Sequence, residues 1–494
     1  MLTDKEQKEL FENIARLGGK GFKEDDIVYD GDKFVLPKMF ENNPAKALKA
    51  WQAKVAEADE ATDQLFPFNY RPWDGAVCAY RAIKKAFGFV RGEKIPGGFF
   101  SPDQPPEYIQ IPISPTETES VPWGRFSIPQ LEGGYIEFGS TMNRDYGQVF
   151  VMSVHAARKF HFFVDGLAAL CEEEMKTGSI YKGKAIDGQT QPTFISLEGV
   201  DPAKVVYSDQ VQTDLETHIW SVMRYPDANK ELGLSLKRAI LMFGTYGTGK
   251  SLAGYLTAKE AVASGWTFLM ARPGRDNFLQ VMQTARLYQP AIVFFEDAET
   301  MASVEQSETM SQVLDMFDGI QAKGASLMVV LTTNHPELIH KGMNRPGRID
   351  AQIEIGELDA KGIQRLIEAS IPETNLSAGI AWEQVVTACE GYVPAFVKEV
   401  ADRSLRYALN RNGGEVGAML IDTVDLVHAA GGLRSQFQRM QDAPEHGAAD
   451  QTLGELIQSN VQKATVALVP EQNARADVWD VEKLAAVSGN GHRN

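Results

Sequence analysis

Between residues 205 and 360, runs of four to seven mostly apolar residues alternate with stretches whose apolar positions fall three and four apart. A continuous apolar run suits a strand buried on both faces, as parallel sheets require, while the wider spacing suits an amphipathic helix. Strands are therefore predicted at 239–243, 266–270, 291–295, 326–332 and 351–355, with helices at 250–263, 276–287 and 306–318. Strand–helix alternation of this kind predicts an α/β unit: a parallel sheet with crossover helices.

The flanks read differently. Residues 1–17 and 44–64 carry helical patterns, with short strands on either side of Asp30-Gly31-Asp32. Another helix is predicted from Asp74, with Val77, Tyr80, Ile83 and Phe87 on one side. From Pro96 to Thr141, Pro and Gly punctuate β-type runs, and a further apolar run at 148–152 leads into a helix reaching Leu170. The texture after 361 is helical. Beyond 435 it becomes polar, with one amphipathic helix expected near Leu453 and a loose tail. The expected organisation is an α+β substrate or partner domain (1–204), an α/β core (205–360), a helical region (361–434), and a C-terminal helix with tail (435–494).

The chemistry sits where the first predicted strand meets its helix. Gly244-Thr245-Tyr246-Gly247-Thr248-Gly249-Lys250-Ser251, followed by Leu252, is GxxxxGK[ST] in strand-to-helix context. Glycines let the backbone turn and aim N–H groups at phosphate oxygens, and the helix N-terminus adds partial positive charge. Lys250 reaches the β- and γ-phosphates of a nucleoside triphosphate, and the Ser251 hydroxyl completes a Mg2+ shell. At the end of the 291–295 run stand Glu296 and Asp297. Carboxyl ends of parallel strands are where open α/β sheets hold ligands, so one acid can serve the metal and the other the attacking water. Asn334 ends the next strand, where its amide can reach both γ-phosphate and water. Arg345 and Arg348 flank a Pro-Gly turn, and guanidinium forks near phosphates suggest stabilisation of transition-state charge.

Bulk properties narrow the classes. The net charge of −17 argues against an extended nucleic-acid groove. Cys78, Cys171 and Cys389 lie far apart, with no zinc spacing. His155 and His161 lack a third ligand at useful spacing. The polar N-terminus and the lack of a long apolar run give the expectation of a cytoplasmic, soluble chain with no membrane span.

These four elements, in this order, resemble the AAA family of the AAA+ ATPases over about residues 203–432. The resemblance implies a P-loop NTPase (AAA+) fold, a five-stranded parallel sheet with a helical lid. It identifies 244–251 as Walker A, 291–297 as Walker B, Asn334 as sensor 1, and Arg345 and Arg348 as arginine fingers. It implies ATP and Mg2+, a homo-oligomer that is usually a ring of six, and a protein substrate. Asp209, in the run Val205-Val206-Tyr207-Ser208-Asp209, falls in the family's opening segment over the adenine. In the family's register Glu296 takes the metal-shell position and Asp297 the water-activating one, the reverse of the usual Asp-Glu order. The same swap, and the run Thr332-Thr333-Asn334-His335, are similar to the AAA translocases of a mitochondrial Rieske iron–sulfur protein.

Two features depart from the threading members of the family. The span from Phe268 to Ile292 is short and lacks an aromatic-x-Gly pore loop, so Phe278 reads as a core residue. The lid shows no clear sensor 2 arginine; Lys398 or Arg403 could approach the phosphates. The expected function is ATP-driven remodelling, disassembly or translocation of a protein. An ATP-switched scaffold with slow hydrolysis is the alternative, and a DNA-replication initiator is disfavoured by charge.

Overall fold

The computed structural model describes residues 28–30, 33–35, 56–88, 90–93, 105–199, 201–272, 276–297, 325–336, 349–416 and 419–441, with positions 49 and 53. The helices predicted at 1–17, 306–318 and near Leu453, and the pair Arg345 and Arg348, lie outside the described residues. The chain divides into two compact units, residues 1–431 and 432–494. Every strand among the described residues belongs to the first.

β1 (Val28–Asp30) and β2 (Lys33–Val35) pair antiparallel. β3 (Ala61–Phe68), β4 (Arg91–Gly92), β6 (Thr118–Ser127), β7 (Tyr135–Asn143) and β8 (Gly147–Ala157) form an antiparallel sheet in the order β3-β8-β7-β6-β4, with β5 (Glu107–Pro112) paired to β6. Helices α1 (Pro72–Phe87) and α2 (His161–Gly178) pack with it. The helix expected across 44–64 does not extend that far: helical turns end at Asp59, and Ala61–Phe68 is strand. Its side chains alternate in exposure, the period-2 signature of a one-sided strand that an Ala/Lys/Glu count obscures.

The second sheet is wholly parallel, in the order β14 (Ala351–Glu354), β10 (Arg238–Phe243), β13 (Leu327–Thr333), β12 (Ala291–Phe295), β11 (Thr267–Ala271), β9 (Ala185–Asp187). The five predicted strands are all present. The expectation of five is corrected to six, because β9 comes from the part assigned to the N-terminal domain. Three residues are too short to announce a strand by pattern; pairing with β11 makes this one.

Register explains the two cores. Ile240, Val330, Phe294 and Met270 lie side by side across the sheet and face one cluster. α4 (Lys250–Ala263) covers that side with Ala253, Ala258 and Ala261. The next row, Leu241, Leu331, Phe295 and Ala271, faces the other cluster. There α5 (Phe278–Leu287) contributes Phe278, Val281 and Met282, and the same cluster continues into Phe150, Val164 and Ile83 of the N-terminal sheet and helices. One hydrophobic cluster thus holds residues of both sheets. α6 (Ala360–Ser370), α7 (Trp382–Ala388), α8 (Pro394–Arg411) and α9 (Thr423–Gln441) follow as the helical region.

Candidate functional site

The phosphate loop leaves β10 at Phe243 and re-enters regular structure at Lys250, the first residue of α4. Two glycines are fixed by geometry. A Cβ on Gly244 would run into the Ile355 carbonyl. Gly249 caps α4 at φ +103°, in the left-handed region that side chains resist. The Lys250 ammonium, largely buried, donates to the carbonyls of Gly244 (2.7 Å) and Thr245 (2.9 Å), and Thr248 Oγ1 donates to the Thr245 carbonyl at 2.9 Å. The loop is thus folded around its own lysine.

A cavity of about 720 Å3 opens at the head of α4. Tyr246, Gly247, Thr248, Gly249, Lys250, Ser251 and Leu252 line it, as do Asp297 and Asn334 from the ends of β12 and β13. Val205, Val206 and Leu366 supply apolar wall, and Lys204 and Lys398 supply charge. The volume is ordinary for a small-molecule site. Backbone N–H groups at a helix N-terminus, a buried lysine, a hydroxyl and an apolar wall fit a nucleoside triphosphate. Gly244 and Thr245 stand behind the cavity and act through the lysine.

The acids separate. Asp297 turns out of the strand at φ +46°, a region that Asp tolerates better than most residues. Its N–H donates to Thr332 Oγ1 (3.1 Å), and its Oδ1 accepts from Asn334 Nδ2 (3.1 Å). Glu296 does not line the cavity. Its N–H donates to the Ala271 carbonyl (3.1 Å), and its carboxylate pairs with Arg272 at 3.5 Å. The left-handed turn favours an aspartate at 297 and gives the Glu-Asp order a local physical reason.

Asp209 is not brought to the cavity. Its exposed carboxylate pairs with Arg365 of α6 at 3.1 Å. The residue of that segment at the loop is Tyr207. It is buried, and its hydroxyl donates to the Gly249 carbonyl at 2.9 Å. Burial pushes its phenol well above the ordinary range, so it stays a donor. A lone aromatic beside Val205-Val206, just before a polar cap, was the available signal.

The helical region touches the loop directly. Ala395 N donates to the Gly247 carbonyl at 3.1 Å, and Arg365 Nη2 donates to the Tyr207 carbonyl at 3.0 Å. Lys398 lines the cavity and pairs with Asp402 at 2.8 Å, whereas Arg403 is held by Glu399 at 2.8 Å. Among the described residues, no group of three or more His, Cys, Asp or Glu could hold a metal ion. Ser251 lines the cavity and Glu296 does not.

With this geometry in place, similarity to known proteins decides the family. The model of the ATPase family associated with various cellular activities (AAA) matches residues 240–357. The chain carries an AAA module at residues 240–357. The chain is 25% identical over 305 residues to the ATP-dependent zinc metalloprotease FtsH 4 of Synechocystis sp., covering 57% of this chain and 47% of that one. Over 226 residues it is 28% identical to FtsH 1 of Symbiobacterium thermophilum, covering 42% and 38%. The cell division cycle protein 48 homolog of Archaeoglobus fulgidus is 26% identical over 203 residues, covering 38% and 28%. The chain thus spans about half the length, or less, of these relatives. The sequence contains no His-Glu-x-x-His run of the kind that binds zinc in metalloproteases. Among the described residues, no helix is long and apolar enough to cross a membrane.

Proposed function

We propose that this chain is an ATP-hydrolysing AAA ring protein that remodels, disassembles or translocates a protein substrate. The observation carrying the reading is that one cavity is lined by the phosphate loop, Asp297 and Asn334 together. ATP lies along 246–252 with its phosphates at the head of α4. Mg2+ would be held by the Ser251 hydroxyl, with Glu296 ordering its shell, and would supply neutralisation of phosphate charge. Asp297 accepts the proton of the attacking water while Asn334 holds both in line. Arg345 and Arg348 complete the neighbouring protomer's site, which makes a ring, usually of six in this family, the working form.

The experiment is mass photometry with a slowly hydrolysed ATP analogue, beside steady-state turnover of the Arg345→Ala/Arg348→Ala variant. Rings, with turnover lowered about 10³-fold in the variant, support the reading. A monomer at every concentration with unchanged turnover overturns it. A slow-hydrolysing scaffold is the second reading, favoured by the short carboxylate at 297, already engaged by Asn334. Partner-stimulated, many-turnover hydrolysis would exclude it.

A further inference from the structure

Away from the nucleotide cavity, a second cleft of about 450 Å3 lies where the N-terminal sheet meets the head of α5. Its lining is almost entirely carboxamide: Gln148, Gln189, Gln191, Asn277 and Gln280. Thr190 joins them through a bond to Gln280 Oε1 at 3.1 Å, and Gln189 uses its backbone N–H, not its side chain, to reach Asp187. Asp276 is its sole charged group. Asp276 Oδ2 accepts from the Arg272 N–H at 2.8 Å, while Oδ1 is shielded from solvent and has no hydrogen-bond partner. A shielded carboxylate oxygen without a donor is costly, and a ligand N–H would satisfy it.

The lining chooses among ligand classes. With no Lys or Arg, and one carboxylate, it does not suit phosphates of a nucleic acid. With no aromatic ring it offers no stacking platform for a base. Gln148 Nε2 donates to Ser140 Oγ (2.8 Å), and Asn277 Oδ1 accepts from the Gln280 N–H (3.2 Å). The carboxamides of Gln189 and Gln191, each both donor and acceptor, match the alternating N–H and C=O groups of an extended main chain without regard to its side chains. We propose that this cleft binds an extended stretch of polypeptide through main-chain hydrogen bonds, and that occupancy is passed to Glu296 through Asp276 and Arg272. The path is short. Asp276 holds the Arg272 backbone, and the Arg272 guanidinium pairs with Glu296 at 3.5 Å. This deepens the remodelling reading and rests on it for the class of substrate.

The test uses the full chain and a fluorescein-labelled 16-residue peptide of Ser, Thr and Val, read by anisotropy. A second peptide has alternate backbone nitrogens methylated. The first should bind, the methylated one about tenfold more weakly or worse, and Gln189→Ala/Gln191→Ala should weaken the first about tenfold without changing basal turnover. Arg272→Met should keep peptide binding yet lose peptide stimulation of ATP turnover. Equal binding of the methylated peptide, or wild-type affinity in the glutamine variant, overturns the site. Displacement of the peptide by maltoheptaose overturns the ligand class, and undiminished stimulation in Arg272→Met overturns the relay. Peptide binding by a chain that hydrolyses nothing would support the cleft while refuting the ATPase reading, so the two fail separately.

Discussion

Asn334 Nδ2 lies 3.1 Å from Asp297 Oδ1, tying the ends of two neighbouring parallel strands across the mouth of the nucleotide cavity. An amide donating to one carboxylate oxygen fixes the orientation of the other. Asp297→Asn should therefore bind ATP within about threefold of wild type and lose about 10²-fold or more in turnover. Asparagine tolerates the φ of +46° at 297, so the backbone should hold. Nucleotide titration beside single-turnover hydrolysis checks both halves.

Glu296→Gln should act differently, because Glu296 pairs with Arg272 and is absent from the cavity wall. The expected change is a higher Mg2+ concentration for half-maximal turnover, with ATP still hydrolysed at saturating metal. If Glu296→Gln binds ATP and is inert, while Asp297→Asn merely shifts the Mg2+ requirement, the two roles are reversed.

Legibility followed the range of the forces involved. The five main strands could be read because each is a continuous apolar run, and the phosphate loop because its glycines obey local backbone rules. β9 could not: three residues become strand only through pairing with β11 across a long stretch of chain. The shared core was equally hidden, since nothing near Phe150 or Ile83 says that α5 will pack beyond them. Asp209 and Tyr207 show the same limit within a few residues. The sequence places both near the loop, but only the fold decides that the tyrosine reaches it and the aspartate pairs outward with Arg365.

Tyr207→Phe tests that distinction. The Gly249 carbonyl would lose the hydroxyl donor at 2.9 Å and keep the Ala253 N–H at 2.9 Å, while the ring still packs against the loop. A net hydrogen bond is worth about 1 kcal/mol, so ATP affinity should fall about fivefold with turnover at saturation unchanged. Asp209→Ala should leave affinity within about twofold, because an exposed ion pair contributes little. Isothermal titration of both variants decides which residue serves the nucleotide.

Lys250→Ala should abolish nucleotide binding at millimolar ATP. Two contributions are removed: a charge for the phosphates, and the strut that the ammonium makes to the Gly244 and Thr245 carbonyls. Lys250→Arg keeps the charge but not the compact three-donor head, and it should recover little binding. Full recovery in the arginine variant would show that charge alone matters.

The joint between the two sheets has its own pH signature. Arg71 is buried at the head of α1, and its guanidinium donates to the Gln148 carbonyl (2.8 Å), the Gln280 carbonyl (3.1 Å) and Thr284 Oγ1. Three residues on, Asp74 is fully buried and accepts from Ser179 Oγ and Ile180 N, each at 2.7 Å. Burial raises its carboxyl above the ordinary value, although those hydrogen bonds pull the other way. A folded pKa above the unfolded one means that the native state binds the proton more tightly. Its contribution to stability is fully present below the unfolded value, near 4, and is lost as pH rises through the folded value. Asp74→Asn removes that titration. Urea unfolding of both proteins from pH 4 to 7 should therefore show the wild type losing stability relative to the variant as pH rises. A difference that stays constant, or grows in the wild type's favour, would mean that the Ser179 and Ile180 bonds outweigh burial.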